Sequence, residues 1–125
     1  MSEQNSPNRR LAAILFTDIV GYSKMMQEDE GNAILLLDKH SEICKSRISN
    51  YRGRLIKKIG DSNFVEFASA VDAVQCGISI QKSLRDYNSN QDNKNQIWMR
   101  IGIHIGDVIE KDSDIFGDGV NVASR

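Results

Sequence analysis

Long apolar runs are missing from this chain. The longest spans six residues, 11–16, against the roughly 20 that a membrane-spanning helix needs. No transmembrane segment is therefore expected in the sequence. The first eight residues, Met1-Ser2-Glu3-Gln4-Asn5-Ser6-Pro7-Asn8, contain no apolar core, so they do not read as a secretory signal. Cysteine is scarce. Cys44 and Cys76 are the only two and form no Cys-x-x-Cys pair, which argues against a zinc site or a dithiol redox motif. Both read as small core hydrophobes in a reducing, cytoplasmic setting. A large excess of one charge is lacking too. Lysine and arginine total 16, aspartate and glutamate 17, for a net charge of −1. That removes the bulk electrostatic case for nucleic acid. There is no P-loop, and Gly117-Asp118-Gly119 has neither the third glycine nor the preceding strand of a dinucleotide fingerprint.

What remains is an ordinary globular composition, 40% hydrophobic and 26% charged in 125 residues. One domain of this length buries roughly two-thirds of its unfolded surface, enough for a core without staples. Charge is unevenly placed. Six bases (Lys45, Arg47, Arg52, Arg54, Lys57, Lys58) and no acid lie between Ile43 and Gly60. Such a run is ordinarily a solvated face, and only motifs decide whether it meets phosphate.

Residues 1–9 read as a disordered lead-in. Residues 11–17 form a compact apolar run suited to a central strand, stopping at Asp18. Residues 20–51 read as a short and then a longer helix, punctuated by Gly31 and ended by Gly53. Leu37, Cys44, Ile48 and Tyr51 share a face of the longer one, with His40 at its boundary. Residues 54–59 and 63–67 look like two strands joined by a Gly60-Asp61-Ser62 turn. Ser69 and Asp72 resemble a capping box, followed by a helix with Ala73, Gly77, Ile80 and Leu84 inward. Ile97, Met99, Ile101, Ile103 and Ile105 alternate as a strand. His104 then faces away from that row, and Trp98 reads as a packing residue. Gly106-Asp107 is expected to turn the chain into a short partner strand at 108–110.

This order predicts an α+β fold: a ferredoxin-like, split βαβ antiparallel sheet with helices on one face. In that arrangement the first strand lies beside the third. The end of the first, at Asp18, then meets the start of the third, at the Asp61 turn. Two carboxylates at one sheet edge repel by about 1–4 kcal/mol at 4 Å near a protein surface. A cation between them relieves this, and Mg²⁺ accepts one or two carboxylates while keeping positions for water and phosphate.

Three motifs carry a family resemblance. Phe16-Thr17-Asp18-Ile19-Val20-Gly21-Tyr22-Ser23 resembles the first metal motif of the class III nucleotidyl cyclases. Lys57-Lys58-Ile59-Gly60-Asp61 resembles their second. Asp114-Ile115-Phe116-Gly117-Asp118-Gly119-Val120-Asn121-Val122-Ala123-Ser124-Arg125 resembles their nucleotide-binding and transition-state motif. The resemblance is collinear over residues 9–125.

The resemblance implies roles. Asp18 and Asp61 would bind two Mg²⁺ or Mn²⁺ ions per site, with the Ile19 carbonyl as a further ligand. Lys57 and Asp114 would read the adenine ring, a pair that marks the ATP-using branch. Asn121 would orient the ribose, and Arg125 would stabilise the pentavalent phosphate. The implied reaction turns ATP into 3′,5′-cyclic AMP and pyrophosphate at the interface of a head-to-tail homodimer. Family catalytic domains continue beyond the Ser-Arg pair, so 10–125 is expected to be a C-terminally truncated cyclase domain. A non-catalytic binding or dimerisation module is the alternative. An RNA-binding module is disfavoured. Phe64-Val65-Glu66-Phe67 matches the end of the RNP1 pattern, but Gly60-Asp61-Ser62-Asn63 fails at the four positions before it.

Overall fold

The computed structural model of the chain describes residues 8–111 and 114–116. The elements run β1 (Asn8–Ile19), α1 (Tyr22–Glu28), α2 (Glu30–Asn50), β2 (Arg54–Ile59), β3 (Ser62–Phe67), α3 (Ala70–Asn88), β4 (Met99–Lys111) and β5 (Asp114–Phe116). They form one five-stranded sheet of order β2-β3-β1-β4-β5, antiparallel throughout. This is the expected split βαβ arrangement with one strand added outside β4, and α2 and α3 cover one face. No helix among the described residues is long and apolar enough to cross a membrane.

The central position of β1 explains its uninterrupted apolar run, because it is buried from both sides. Its odd residues Ala13, Leu15 and Ile19 join Val65, Phe67, Met99 and the inward faces of α2 and α3 in the main core. Its even residues Ala12 and Ile14 pack with Phe64 and Val108 on the helix-free face, flanked by Phe16 and Ile56. That second cluster is nearly as dry as the first: Ile14 is 2% exposed and Val108 0%. The sheet curls to close over it. The two edge strands, β2 and β5, approach within 8 Å of each other. Arg54 of β2 reaches Glu110 of β4 at 3.1 Å, across the two strands between them.

Several local expectations are corrected. Asn8 and Arg9, expected in the lead-in, pair with Glu110 and Ile109; residues 1–7 lie outside the described residues. Gly106-Asp107 is no turn. The two residues lie opposite Ala12 and Leu11 inside a ladder that runs without a break from Asn8↔Glu110 to Ile19↔Met99. The long pairing with β1 overrides their local turn preference. The added strand is therefore Asp114–Phe116 rather than 108–110. The break between the first two helices falls at Asp29, whose carboxylate caps α2 through Asn32 N–H; Gly31 lies inside the first turn. Ile103 and Ile105 are 36% and 54% exposed, because α3 meets the isoleucine row at Gly77, against Ile101 and Ile103, and covers it no further. Trp98 is 58% exposed, one residue out of step with buried Ile97 and Met99.

Gly53 serves a different purpose from the one expected. The left-handed residue after α2 is Arg52, with φ 62°. At Gly53 a Cβ would stand 2.7 Å from Phe67 Cζ and 2.9 Å from Ile48 Cγ2. Phe67 is 1% exposed and its ring has nowhere to go. Gly53→Ala is therefore expected to cost about 1–3 kcal/mol as overpacking. The measurement is urea unfolding, with a lower midpoint at unchanged slope; an unmoved midpoint contradicts it.

Candidate active site

The site begins where β1 leaves the sheet. Asp18 is an even residue of β1, on the helix-free face, and Ile19 ends the strand. The β2–β3 hairpin turns beside it through Gly60 and Asp61. Gly60 adopts φ 58°, a conformation in which a side chain is strained. The hairpin is fastened to β1 just below the turn. Thr17 pairs with Asn63 in the ladder, and Asn63 Nδ2 donates to Thr17 Oγ1 at 3.1 Å inside the core. Above that bond, Ile19 N–H donates to Asp61 Oδ2 at 2.7 Å. The Asp61 carboxylate thus sits on the amide that follows Asp18, at one edge of the sheet.

The donor set of Asp18, Asp61 and the Ile19 carbonyl consists of hard oxygens. Among the described residues there is no cluster of three or more His, Cys, Asp or Glu side chains. Two carboxylates plus a backbone oxygen do not make a closed cage of the kind structural zinc prefers. They suit an ion such as Mg²⁺ that keeps several positions for water and phosphate. The residues present fit such an ion.

Lys57 reaches the same face of the sheet through an irregularity. The β2–β3 register shifts between Leu55 and Lys57, so Lys57 faces Phe64 and Lys58 faces Asn63. The bulge puts Lys57 Nζ 5.4 Å over the Phe64 ring and turns Lys58 to the helix side, where it donates to Ser41 Oγ at 3.0 Å. Asp114 opens β5 opposite Lys111. The curl of the sheet brings β5 towards β2, the strand of Lys57. Asn121 and Arg125 lie outside the described residues.

Two features escaped the sequence reading. The first is Arg100, directly opposite Asp18 in the β1–β4 ladder. Its Nε and Nη2 donate to Asp18 Oδ1 and Oδ2 at 2.9 and 2.8 Å. Strand parity alone puts Arg100 on the face opposite the isoleucines, but the pairing with Asp18 needs the register. The second is an ion network at the far end of the concave face. Arg10 pairs with Glu66 and Glu110, and so does Arg54. Hydrogen bonds from these guanidinium groups, Arg10 foremost for Glu66 and Arg54 foremost for Glu110, hold both carboxyls below the usual range.

His40 is corrected. It is no boundary residue but fully buried, on the same seam of α2 as Ala33, Leu36, Cys44 and Ile48. Apart from the Leu37 backbone, neither ring nitrogen has a hydrogen-bond partner among the described residues. Burial pushes its pKa below the ordinary value. The two cysteines behave as expected. Both are buried and free, and burial pushes Cys44 up to about 12 and Cys76 up to about 11. Neither is a nucleophile near neutral pH.

Comparisons with known proteins show the family and the fold. The family model for the adenylate and guanylate cyclase catalytic domain matches residues 5–125. The chain belongs to that family. A putative adenylate cyclase of Rhizobium meliloti is 42% identical over 123 residues, covering 98% of this chain and 21% of that protein. The crystal structure of an adenylate/guanylate cyclase/hydrolase from Silicibacter pomeroyi superposes with a TM-score of 0.88 at 37% identity, over 95% of this chain and 70% of that one. A solved guanylyl cyclase at 22% identity shares the fold, with a TM-score of 0.81 over 96% of this chain and 70% of its own. The chain thus spans about a fifth of the Rhizobium protein.

Proposed function

We propose that the chain is an adenylyl cyclase catalytic unit, turning ATP into 3′,5′-cyclic AMP and pyrophosphate in a head-to-tail homodimer. The observation that carries the reading is the meeting of Asp18 and Asp61 at one sheet edge, with Asp61 Oδ2 2.7 Å from the Ile19 amide. Asp18, Asp61 and the Ile19 carbonyl would hold two divalent ions, Mg²⁺ or Mn²⁺. These would supply Lewis acidity at the ribose 3′ oxygen and charge neutralisation at the triphosphate. The Ile19 amide and the Thr17–Asn63 bond orient Asp61 in advance, so little reorganisation remains for the moment of reaction.

In this reading Lys57 donates to the adenine ring and Asp114 accepts from its amino group. A donor–acceptor pair of this kind discriminates sharply, because the wrong base leaves buried polar groups unpaired. Asn121 orients the ribose. Arg125 offers a planar fork to the phosphate oxygens, which lysine does not imitate. The partner subunit would bring its own copies of Lys57, Asp114, Asn121 and Arg125 to this chain's aspartates.

The test is product formation by the purified chain with Mn²⁺, supplied with ATP or GTP in parallel. Cyclic AMP and pyrophosphate in equal amounts are expected from ATP, with at least about tenfold less product from GTP. Preference for GTP overturns the assignment of Lys57 and Asp114. Nucleotide binding with no product from either substrate identifies a non-catalytic module instead.

A further inference from the structure

Asp18 carries a cation of its own. The Arg100 guanidinium spans both of its oxygens as a two-pronged fork, at 2.9 and 2.8 Å. This geometry matches a carboxylate better than any single donor does. Asp61 is engaged differently: it gives one oxygen to a backbone amide that cannot leave. The two carboxylates are therefore unequal. One is fixed by the main chain, and the other is neutralised by a side chain.

That side chain is able to move. Arg100 is 73% exposed, whereas Asp18 is 15% exposed and anchored in the central strand. The Asp18 hydrogen bond is the leading influence on the guanidinium, and the charge of Asp61 adds a smaller one in the same direction. Release would return Arg100 to water at little cost, as for exposed ion pairs generally. A divalent ion needs the same Asp18 oxygens and brings twice the charge.

We propose that Arg100 is an intramolecular competitor for the divalent ion at Asp18, so that guanidinium and ion alternate on the same carboxylate. Arg100 is then a positioning residue. It sets the ion affinity of the site and keeps the Asp18 charge balanced beside Asp61 until an ion arrives. The inference rests on the reading of Asp18 and Asp61 as metal ligands.

Mn²⁺ binding to the full chain, followed by loss of the free-ion electron paramagnetic resonance signal, tests it without any turnover. Arg100→Gln is expected to bind Mn²⁺ roughly two- to fivefold more tightly, the range an exposed pair commands. Arg100→Lys keeps the charge but loses the fork, and is expected between the two. The gain must vanish in the Asp18→Asn background, because there the competition has no object. Equal or weaker binding by Arg100→Gln overturns the proposal. So does a gain that persists with Asp18→Asn, which would mark a general field effect at Asp61. Absence of Mn²⁺ binding in both the parent chain and Arg100→Gln would sink the metal-ligand reading itself, and this inference with it.

Discussion

Asp18→Asn is expected to lower cyclic AMP formation by this chain at least about a hundredfold at saturating Mn²⁺. Transition-state charge stabilisation by a bound ion is worth several kcal/mol, and each 1.36 kcal/mol is tenfold in rate. Asparagine keeps the size of the side chain and loses the charge that, in the proposed reading, would hold the ion. The fold has little stake in that charge, because the Arg100 partner is 73% exposed and rehydrates freely. The thermal midpoint is therefore expected to move by only a few degrees. Asp61→Asn is expected to match the activity loss, since its amide oxygen still accepts from Ile19 N–H but carries no charge. The double variant should be little worse than either single one, as residues acting as a unit are non-additive. A mixing experiment separates this from a trivial loss. Asp18→Asn and Arg125→Ala chains, each inactive alone, should recover about a quarter of parental activity together. Half of the dimers are then mixed, and each has one intact site of two. Retained activity in Asp18→Asn removes the metal role. Failure to recover on mixing removes the shared site.

Those carboxylates are legible in the sequence because their placement depends on topology, and topology follows from element order. A strand, a helical crossover, a hairpin and a second helix leave few ways to build a sheet. All of them with β1 beside β3 bring Asp18 to the Asp61 turn. The hairpin was read to within a residue because its signals are local: Gly60 supplies a left-handed conformation that other residues rarely adopt. What escaped was whatever depends on register. Gly106-Asp107 carries a strong local turn signal and lies mid-strand, because β1 offers twelve residues of partner. Arg100 is one basic residue among many until the ladder sets it opposite Asp18. Lys57 reaches the concave face only through a bulge, and nothing in the run of residues 54–59 announces one.

His40 was misplaced for a related reason. Leu37, Cys44, Ile48 and Tyr51 define a helix face, but the sheet meets α2 along Ala33, Leu36, His40, Cys44 and Ile48, a seam rotated slightly from it. A polar residue at the expected edge then lies at the centre.

Acid should therefore unfold this protein through one imidazole before its carboxylates matter. Burial holds the folded pKa of His40 below its ordinary 6.5 against a backbone hydrogen bond with Leu37 that raises it; the positive charge of Lys58 acts with burial and Asp61 opposes it. Above pH 6.5 the imidazole is neutral in both folded and unfolded chains, and it contributes no pH dependence. As the pH falls below 6.5, the unfolded chain takes a proton that the folded one refuses. Stability then drops by up to about 1.4 kcal/mol per pH unit until the folded pKa is reached. Urea unfolding between pH 7.5 and 5.5 reads this slope in a window where ordinary carboxylates, near 4, stay ionised. His40→Leu is expected to abolish the slope. At pH 7.5 it should also stabilise by about 1 kcal/mol, because buried ring nitrogens with no partner beyond the Leu37 backbone are replaced by apolar volume. Parallel slopes in the two proteins would remove His40 as the cause. The same variant divides the acid limb of any activity profile. Activity that His40→Leu restores at pH 5.5 was lost with the fold beneath the site. Activity that it does not restore was lost for a reason other than His40.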